Sequence, residues 1–309
     1  MDPTDTARAA WRKVRDLAFA EPEAEAPAAH RPDGRELRRY MLGTLMVCVP
    51  LLAAAAAWLG PRVLLVFAFA FAVGRAIELA MARFRDRPVR GGALTFAALL
   101  ALVVPPHLPL WLVAATAGFG IFFGREVFGG TGHHVFNPVL AGKAFLVVSY
   151  PTIAVGGSVG SLPGEGPANL FGHALPAGAG WAGLVLLAGS AAIAARAVDW
   201  RVPVSVLGAA VCAGLVLGGF GAGALPQRSF MLEGGLLFGA LLLAGDPAAS
   251  PGTRPGRWAY GGLVGLLAAV ICAFSGHRDF AMYAILLGNI AAPSIDVAVL
   301  TVRGTGEIE

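Results

Sequence analysis

Seven ionisable residues lie within or beside long apolar runs: Arg75, Glu78, Arg125, Glu126, Lys143, Asp246 and Asp296. A charge at membrane depth is costly, so each is a candidate for ion movement, proton transfer or ligand binding. Glu126, Asp246 and Asp296 are the carboxylates that could offer a cation or proton a path. Arg75 and Glu78 stand three apart, share a helix face and read as a self-neutralising pair. Arg125 beside Glu126 reads as a second pair. Lys143 could face an anion, or it could snorkel toward the headgroups.

The stretch that holds most of this chemistry is residues 122–151, FFGREVFGGTGHHVFNPVLAGKAFLVVSYP. Gly129, Gly130, Thr131 and Gly132 form a cluster followed by Asn137-Pro138, between two apolar segments. Glycine permits positive φ, and proline starts a helix rather than continuing one, so a break is predicted here. Irregular backbone at membrane depth persists only where protein buries it or where it lines a cavity. The glycine amides could form an anion-binding nest. The Gly-Lys-Ser/Thr ending of a phosphate-binding Walker loop is absent, and no strand precedes the cluster. His133 and His134 are adjacent and point apart, so they read as loop histidines rather than ligands of one metal. Cys48, Cys212 and Cys272 stand alone in apolar runs, which argues against a structural zinc or iron–sulfur site. No residue is assigned as catalytic.

The elements that must position these groups are membrane helices. The 309 residues are 57% hydrophobic and only 14% charged, with 42 glycines and 21 prolines. Soluble domains carry about 25% charged residues. The net charge of +4 does not signal nucleic-acid binding, because the arginines gather at segment ends and in the N-terminal arm.

Residues 1–39 read as a cytoplasmic arm, in which Ala7–Phe19 has the spacing of an amphipathic surface helix. A membrane domain is predicted over 40–302, with a tail at 303–309. Ten apolar segments fall near 40–59, 63–82, 91–104, 108–123, 138–153, 181–195, 202–218, 231–245, 258–274 and 280–300. Several are shorter than the ~20 residues of a full crossing and read as broken half-helices. With both termini cytoplasmic, most Lys and Arg fall inside, and only Arg62, Arg228 and Arg278 fall outside. Gly91-Gly92 opens GGALTFAALLALVVPP and Gly234-Gly235 opens GGLLFGALLLAGDP; Asn137 likewise has a loose counterpart in Asn289. The predicted fold is therefore all-α, about ten transmembrane helices in two inverted five-helix repeats, with the site at their interface.

GREVFGGTGHHVFNPVLAGKAFLVVSYP resembles the signature of the B subunit of the Na⁺-translocating NADH:quinone oxidoreductase (Nqr), of which the D subunit of the Rnf electron-transport complex has a looser version. HRPDGRELRRYML, AVDWRVPVSVLG, GGLLFGALLLAGDPAASPGTRPGRWAYGGLVG and ILLGNIAAPSID extend the similarity over about residues 30–300. The central motif is closer to the Nqr type and the chain length to the Rnf type. The resemblance implies a subunit of a multi-subunit complex in a prokaryotic cytoplasmic membrane, with membrane and peripheral partner subunits and a quinone as partners. Electrons would pass through flavins, and cation movement would be coupled to the transfer. It also implies FMN esterified to a threonine within Ser/Thr-Gly-Ala-Thr in the loop after the fifth segment. That loop, 152–180, has no Gly-Ala-Thr; Ser158 and Ser161 have glycines nearby but not the motif. Any flavin here, FMN or riboflavin, would therefore be held without a covalent bond, with Gly129–Gly132 approaching its ring or phosphate and Asn137 and Lys143 as polar partners. Two rival classes are a solute channel or transporter of the same fold, and a non-redox membrane scaffold for a flavinylated partner.

Overall fold

The computed structural model describes residues 34–86, 91–154, 179–219, 234–275 and 279–305, and every regular element among them is helical. In chain order these are α1 (Gly34–Leu59), α2 (Arg62–Phe84), α3 (Ala93–Val103), α4 (Leu110–Ile121), α5 (Pro138–Ser149), α6 (Ala179–Ala194), α7 (Arg201–Gly219), α8 (Gly234–Phe238), α9 (Arg254–Ser275) and α10 (Phe280–Thr305). One further turn, Pro151–Ala154, follows α5. The ends of α4 and α8 widen into π-helices, Phe122–Glu126 and Gly239–Leu243.

Among the described residues, five helices, α1, α2, α7, α9 and α10, are long and apolar enough to cross a membrane. The shorter ones behave differently. Almost every residue of α3 is buried, as is the whole Gly239–Leu243 turn. A helix that is hydrophobic all round belongs inside. The long helices instead expose one apolar face, through Met46, Leu64, Leu65, Leu215, Val216 and Val302 among others. α3 and the Gly239–Leu243 turn thus lie in the core, and the outer apolar faces of the long helices suit lipid.

The most extensive helix pair is α7 against α9. Small residues make this approach feasible, as in other membrane bundles. A Cβ on Gly261 would lie 1.7 Å from Ser205 Oγ, and one on Gly265 would lie 2.2 Å from the Val206 carbonyl oxygen. Gly265→Ala should cost about 2 kcal/mol, because backbone rather than a movable side chain blocks the methyl. Thermal melts of detergent-purified protein read this loss; an unchanged melt would mean the helices separate freely.

One end of the bundle is latched by charge. Asp199 accepts from the Arg201 amide at 2.9 Å and pairs with Arg257 at 2.6 Å, while Arg257 also reaches Glu36 at 2.9 Å. The latch ties the starts of α7, α9 and α1. Burial raises the Asp199 pKa, but the Arg201 amide and the Arg257 guanidinium outweigh it and hold the carboxyl below its ordinary value of 3.8. A depressed carboxyl stabilises the fold fully above its unfolded pKa and loses that contribution as pH falls through the folded one. The melting temperatures of wild type and Asp199→Asn should therefore differ at neutral pH and converge below the ordinary carboxyl range. A gap that stays constant into acid would count against the latch.

Helix boundaries depart from the sequence reading at both ends of the membrane domain. α1 begins at Gly34, so its Arg-rich first turns are helical rather than part of a polar arm, and α10 continues to Thr305. Polar residues at the ends of long membrane helices extend into the headgroup layer, and periodicity of apolar residues does not register them. The Ala7–Phe19 stretch and the loop with Ser158 and Ser161 lie outside the described residues.

Candidate functional site

Two loops at the same end of the bundle, 127–136 after the first π-helix and 244–253 after the second, meet through a buried contact. His134 Nε2 lies 3.0 Å from Asp246 Oδ2, across 112 positions of chain. Both side chains are buried. The π-helices explain why polar side chains converge here. A helix end leaves carbonyls without an intrahelical donor, and these need partners from elsewhere. Tyr40 donates to the Leu242 carbonyl at 2.9 Å, and Asn137 donates to the Leu243 carbonyl at 3.2 Å. At the other π-helix, Arg85 donates to the Glu126 carbonyl.

Asn137 does three things at once. Its oxygen caps α5 by accepting from the amides of Val139 and Leu140 at 3.0 and 3.4 Å. Its nitrogen also approaches Asp246 Oδ2 at 3.4 Å. Its backbone amide donates to the Asn289 carboxamide oxygen at 3.1 Å, while the Asn289 nitrogen faces the Ala249 and Ile285 carbonyls and the Tyr260 hydroxyl. The two asparagines noted as counterparts in sequence are therefore in contact.

The glycine loop closes on itself. Gly129, Gly130 and Gly132 have φ of 117°, 93° and 89°, where a side chain is strained. The amides of Gly129, Gly130 and His133 donate to the carbonyls of Glu126, Arg125 and Gly130 at 3.0, 3.1 and 3.2 Å. The Thr131 hydroxyl donates to the Gly91 carbonyl at 2.8 Å. The amides of Gly129 and Gly130 are thus engaged by backbone carbonyls.

Beside the loop lies an ion network. Arg75 pairs with Glu78 at 3.1 Å, and Arg125 pairs with the same Glu78. Arg125 Nε reaches Glu126 at 3.3 Å, and Arg85 reaches Glu126 at 3.6 Å. The helix-face reading of Arg75 and Glu78 holds, and Arg125 extends it across the bundle. Glu126 sits inside this network.

Tyr40, Arg125, Thr131, His134, Asn137 and Asp246 surround a cavity of about 40 Å³. Of the sequence candidates, then, Arg125, Thr131, Asn137 and Asp246 come together, with Gly129, Gly130 and Gly132 in the adjoining loop. Lys143 and Asp296 are not among the lining residues. Lys143 pairs with Asp279 at 2.6 Å in a buried contact, so the anion it faces belongs to the protein. Asp296 accepts from the amides of Gly252 and Thr253 at 2.7 and 3.1 Å and from the Thr253 hydroxyl at 2.6 Å, pinning the second loop.

Sequence reasoning missed Tyr40, His134 and Asp279. His134 read as a loop histidine, but it is buried against Asp246 because the second loop folds over it. Only a paired search for one buried acid and one base in the two loops could have linked them. Its Nδ1 has no hydrogen-bond partner among the described residues.

A bound flavin does not fit this cavity. Sites for small molecules and cofactors occupy roughly 300–1,000 Å³. The space beside His134 is about 40 Å³, which suits water or a small cation. Among the described residues no group of three or more His, Cys, Asp or Glu side chains could hold a metal ion.

Residues 25–303 match the family described as NQR2, RnfD, RnfE. The chain is similar to the B subunit of the Na(+)-translocating NADH-quinone reductase of Azotobacter vinelandii, 31% identical over 263 residues, covering 75% of this chain and 65% of that protein. The corresponding protein of Yersinia pestis is 30% identical over 270 residues, covering 76% and 65%. The chain thus spans less than two thirds of the length of these relatives. The family match reaches from before α1 to within α10 and contains both π-helix loops and the contact between them; the chain belongs to the NQR2, RnfD, RnfE family.

Proposed function

We propose that this chain is a membrane subunit of an Nqr- or Rnf-like electron-transport complex, with both termini cytoplasmic and its ten segments arranged as two inverted units of five. The observation that carries the reading is the His134–Asp246 contact between the two π-helix loops at the end of the bundle. In inverted-repeat membrane proteins the working site lies where the repeats meet. The Asn137–Asn289 contact has the same character, one residue from each unit.

The residues present suit ion or proton handling better than direct electron transfer. Asp246 supplies a buried carboxylate and His134 Nδ1 a buried nitrogen that can take or give a proton. One- and two-electron chemistry needs a group that side chains here do not supply. Electrons would then travel on flavins of partner subunits, and this chain would couple their passage to cation movement through Asp246 and His134.

The occupied amides of the glycine loop favour a second reading, in which the chain is a non-redox scaffold for a flavinylated partner. Affinity purification of the tagged full chain from its own membranes separates the two. Co-purified flavin-bearing subunits, with electron-transfer activity lost in His134→Ala, support the coupling role. Activity that survives His134→Ala leaves the scaffold, and a chain that purifies alone and moves solute in liposomes overturns both.

A further inference from the structure

A second, larger cavity of about 720 Å³ opens beside the Asp199 latch. Six arginines line it, Arg35, Arg39, Arg196, Arg201, Arg254 and Arg257, against two acids, Glu36 and Asp199. The acids are already committed. Asp199 holds Arg201 and Arg257, and Glu36 holds Arg257. Among the described residues, Arg35, Arg39, Arg196 and Arg254 have no carboxylate partner. Four guanidinium groups from three separate parts of the chain thus face one space with their charge unbalanced.

The backbone at Arg196 adds an independent sign. Its φ is +54°, in the left-handed region, at the turn that ends α6. Helices ordinarily place glycine or asparagine there. An outlier of this kind is a reason to look for a function that compensates the strain. Here the strained residue carries a guanidinium onto the cavity wall.

We propose that this cavity binds a phosphate-bearing anion of headgroup size. Guanidinium presents a planar fork that matches phosphate oxygens bidentately, and several such forks around one space suit a phosphodiester or diphosphate. The volume falls in the range of small-molecule sites. The depth is that of the membrane surface: Trp200 and Trp258 meet edge-on at 5.8 Å on one flank, both substantially exposed, and the Arg201 guanidinium lies 5.1 Å from the Trp200 ring centroid. Tryptophan favours the interface between bilayer and water, and basic pockets at that level take anionic headgroups. The same chemistry serves the phosphate of an anionic phospholipid or a soluble phosphoester. The inference does not depend on the electron-transport reading.

The test uses the purified full chain in phosphatidylcholine nanodiscs, with two probes: cardiolipin included in the disc, and inorganic pyrophosphate in solution. Native mass spectrometry counts retained lipid, and thermal shift reads pyrophosphate. Retention of cardiolipin over phosphatidylcholine, lost about tenfold or more in Arg35→Gln/Arg39→Gln/Arg254→Gln, establishes the site with a lipid source. Saturable stabilisation by pyrophosphate without anionic lipid, lost in the same variant, establishes it with a soluble source. Arg196→Gly guards against a merely unfolded variant, since glycine relieves the backbone: it should melt no lower than wild type and still bind more weakly. The proposal falls if neither probe is preferred over phosphatidylcholine and buffer, or if the triple variant and Arg196→Gly both bind as wild type.

Discussion

Arg125→Met is expected to destabilise the protein by about 3–5 kcal/mol, the cost of stripping a buried cation from its acids. Arg125 is 2% exposed, and it holds Glu78 on one side and Glu126 on the other. Glu78 is itself 3% exposed and keeps only Arg75 once Arg125 is gone. Methionine fills much of the volume, so the loss measured is electrostatic rather than a cavity. The same arginine also supports the loop: a Cβ on Gly92 would lie 2.8 Å from its Nη1, so the side chain runs tightly along the start of α3. Purified Arg125→Met should aggregate or melt far below wild type. Adding Glu78→Gln should recover part of the loss, because the orphaned charge disappears with its partner. A double variant no better than the single would show that the acids are solvated and the network contributes little.

Asp246→Ala should cost about 3 kcal/mol, since a charged acceptor with several donors is removed at once. Asp246 accepts from the Ala248 amide at 3.1 Å within its own loop, and it faces His134 at 3.0 Å in the first loop and Asn137 at 3.4 Å at the start of α5. Without it, the loops lose the contact that joins them. Asp246→Asn keeps the shape and can still accept, so its melt should fall much less. Under the coupling role proposed above, its activity should fall nearly as far as that of alanine, because the amide carries no carboxylate for a cation. The split between stability and activity is the informative result. If electron-transfer activity in Asp246→Asn membranes matches wild type, the proposed coupling role of Asp246 falls and the residue is structural.

What could be read from the chain follows the distance over which its physics operates. Local features were legible. The Asn137-Pro138 step predicted a helix start, and α5 begins at Pro138. The glycine cluster predicted positive φ, and Gly129, Gly130 and Gly132 adopt it. Arg75 and Glu78, three apart, pair as helix geometry requires. Contacts between distant segments left no such trace. Arg125 and Glu78 are 47 residues apart, and His134 and Asp246 are 112 apart. Lys143 read either as facing an anion or as snorkelling toward the headgroups, and nothing near it in sequence points to Asp279. Glycines looked like an open cradle because spacing shows where backbone can bend, not whether its amides are already engaged.

The short inner helices have a consequence for how the protein enters its membrane. α3 has 11 residues, and at 1.5 Å per residue it reaches about 16 Å, roughly half of a hydrocarbon core. It cannot lodge across the bilayer by itself as it leaves the insertion machinery. The ten residues from Gly234 to Leu243 are no longer. Each must wait for neighbours to shield its ends, which makes biogenesis a concerted event rather than a series of independent insertions. The five long helices provide the durable anchors, and α3 and the second π-helix settle after them. Defects in α3 or in the second π-helix should accordingly surface first as poor yield in the membrane, before any change in the properties of the molecules that do assemble.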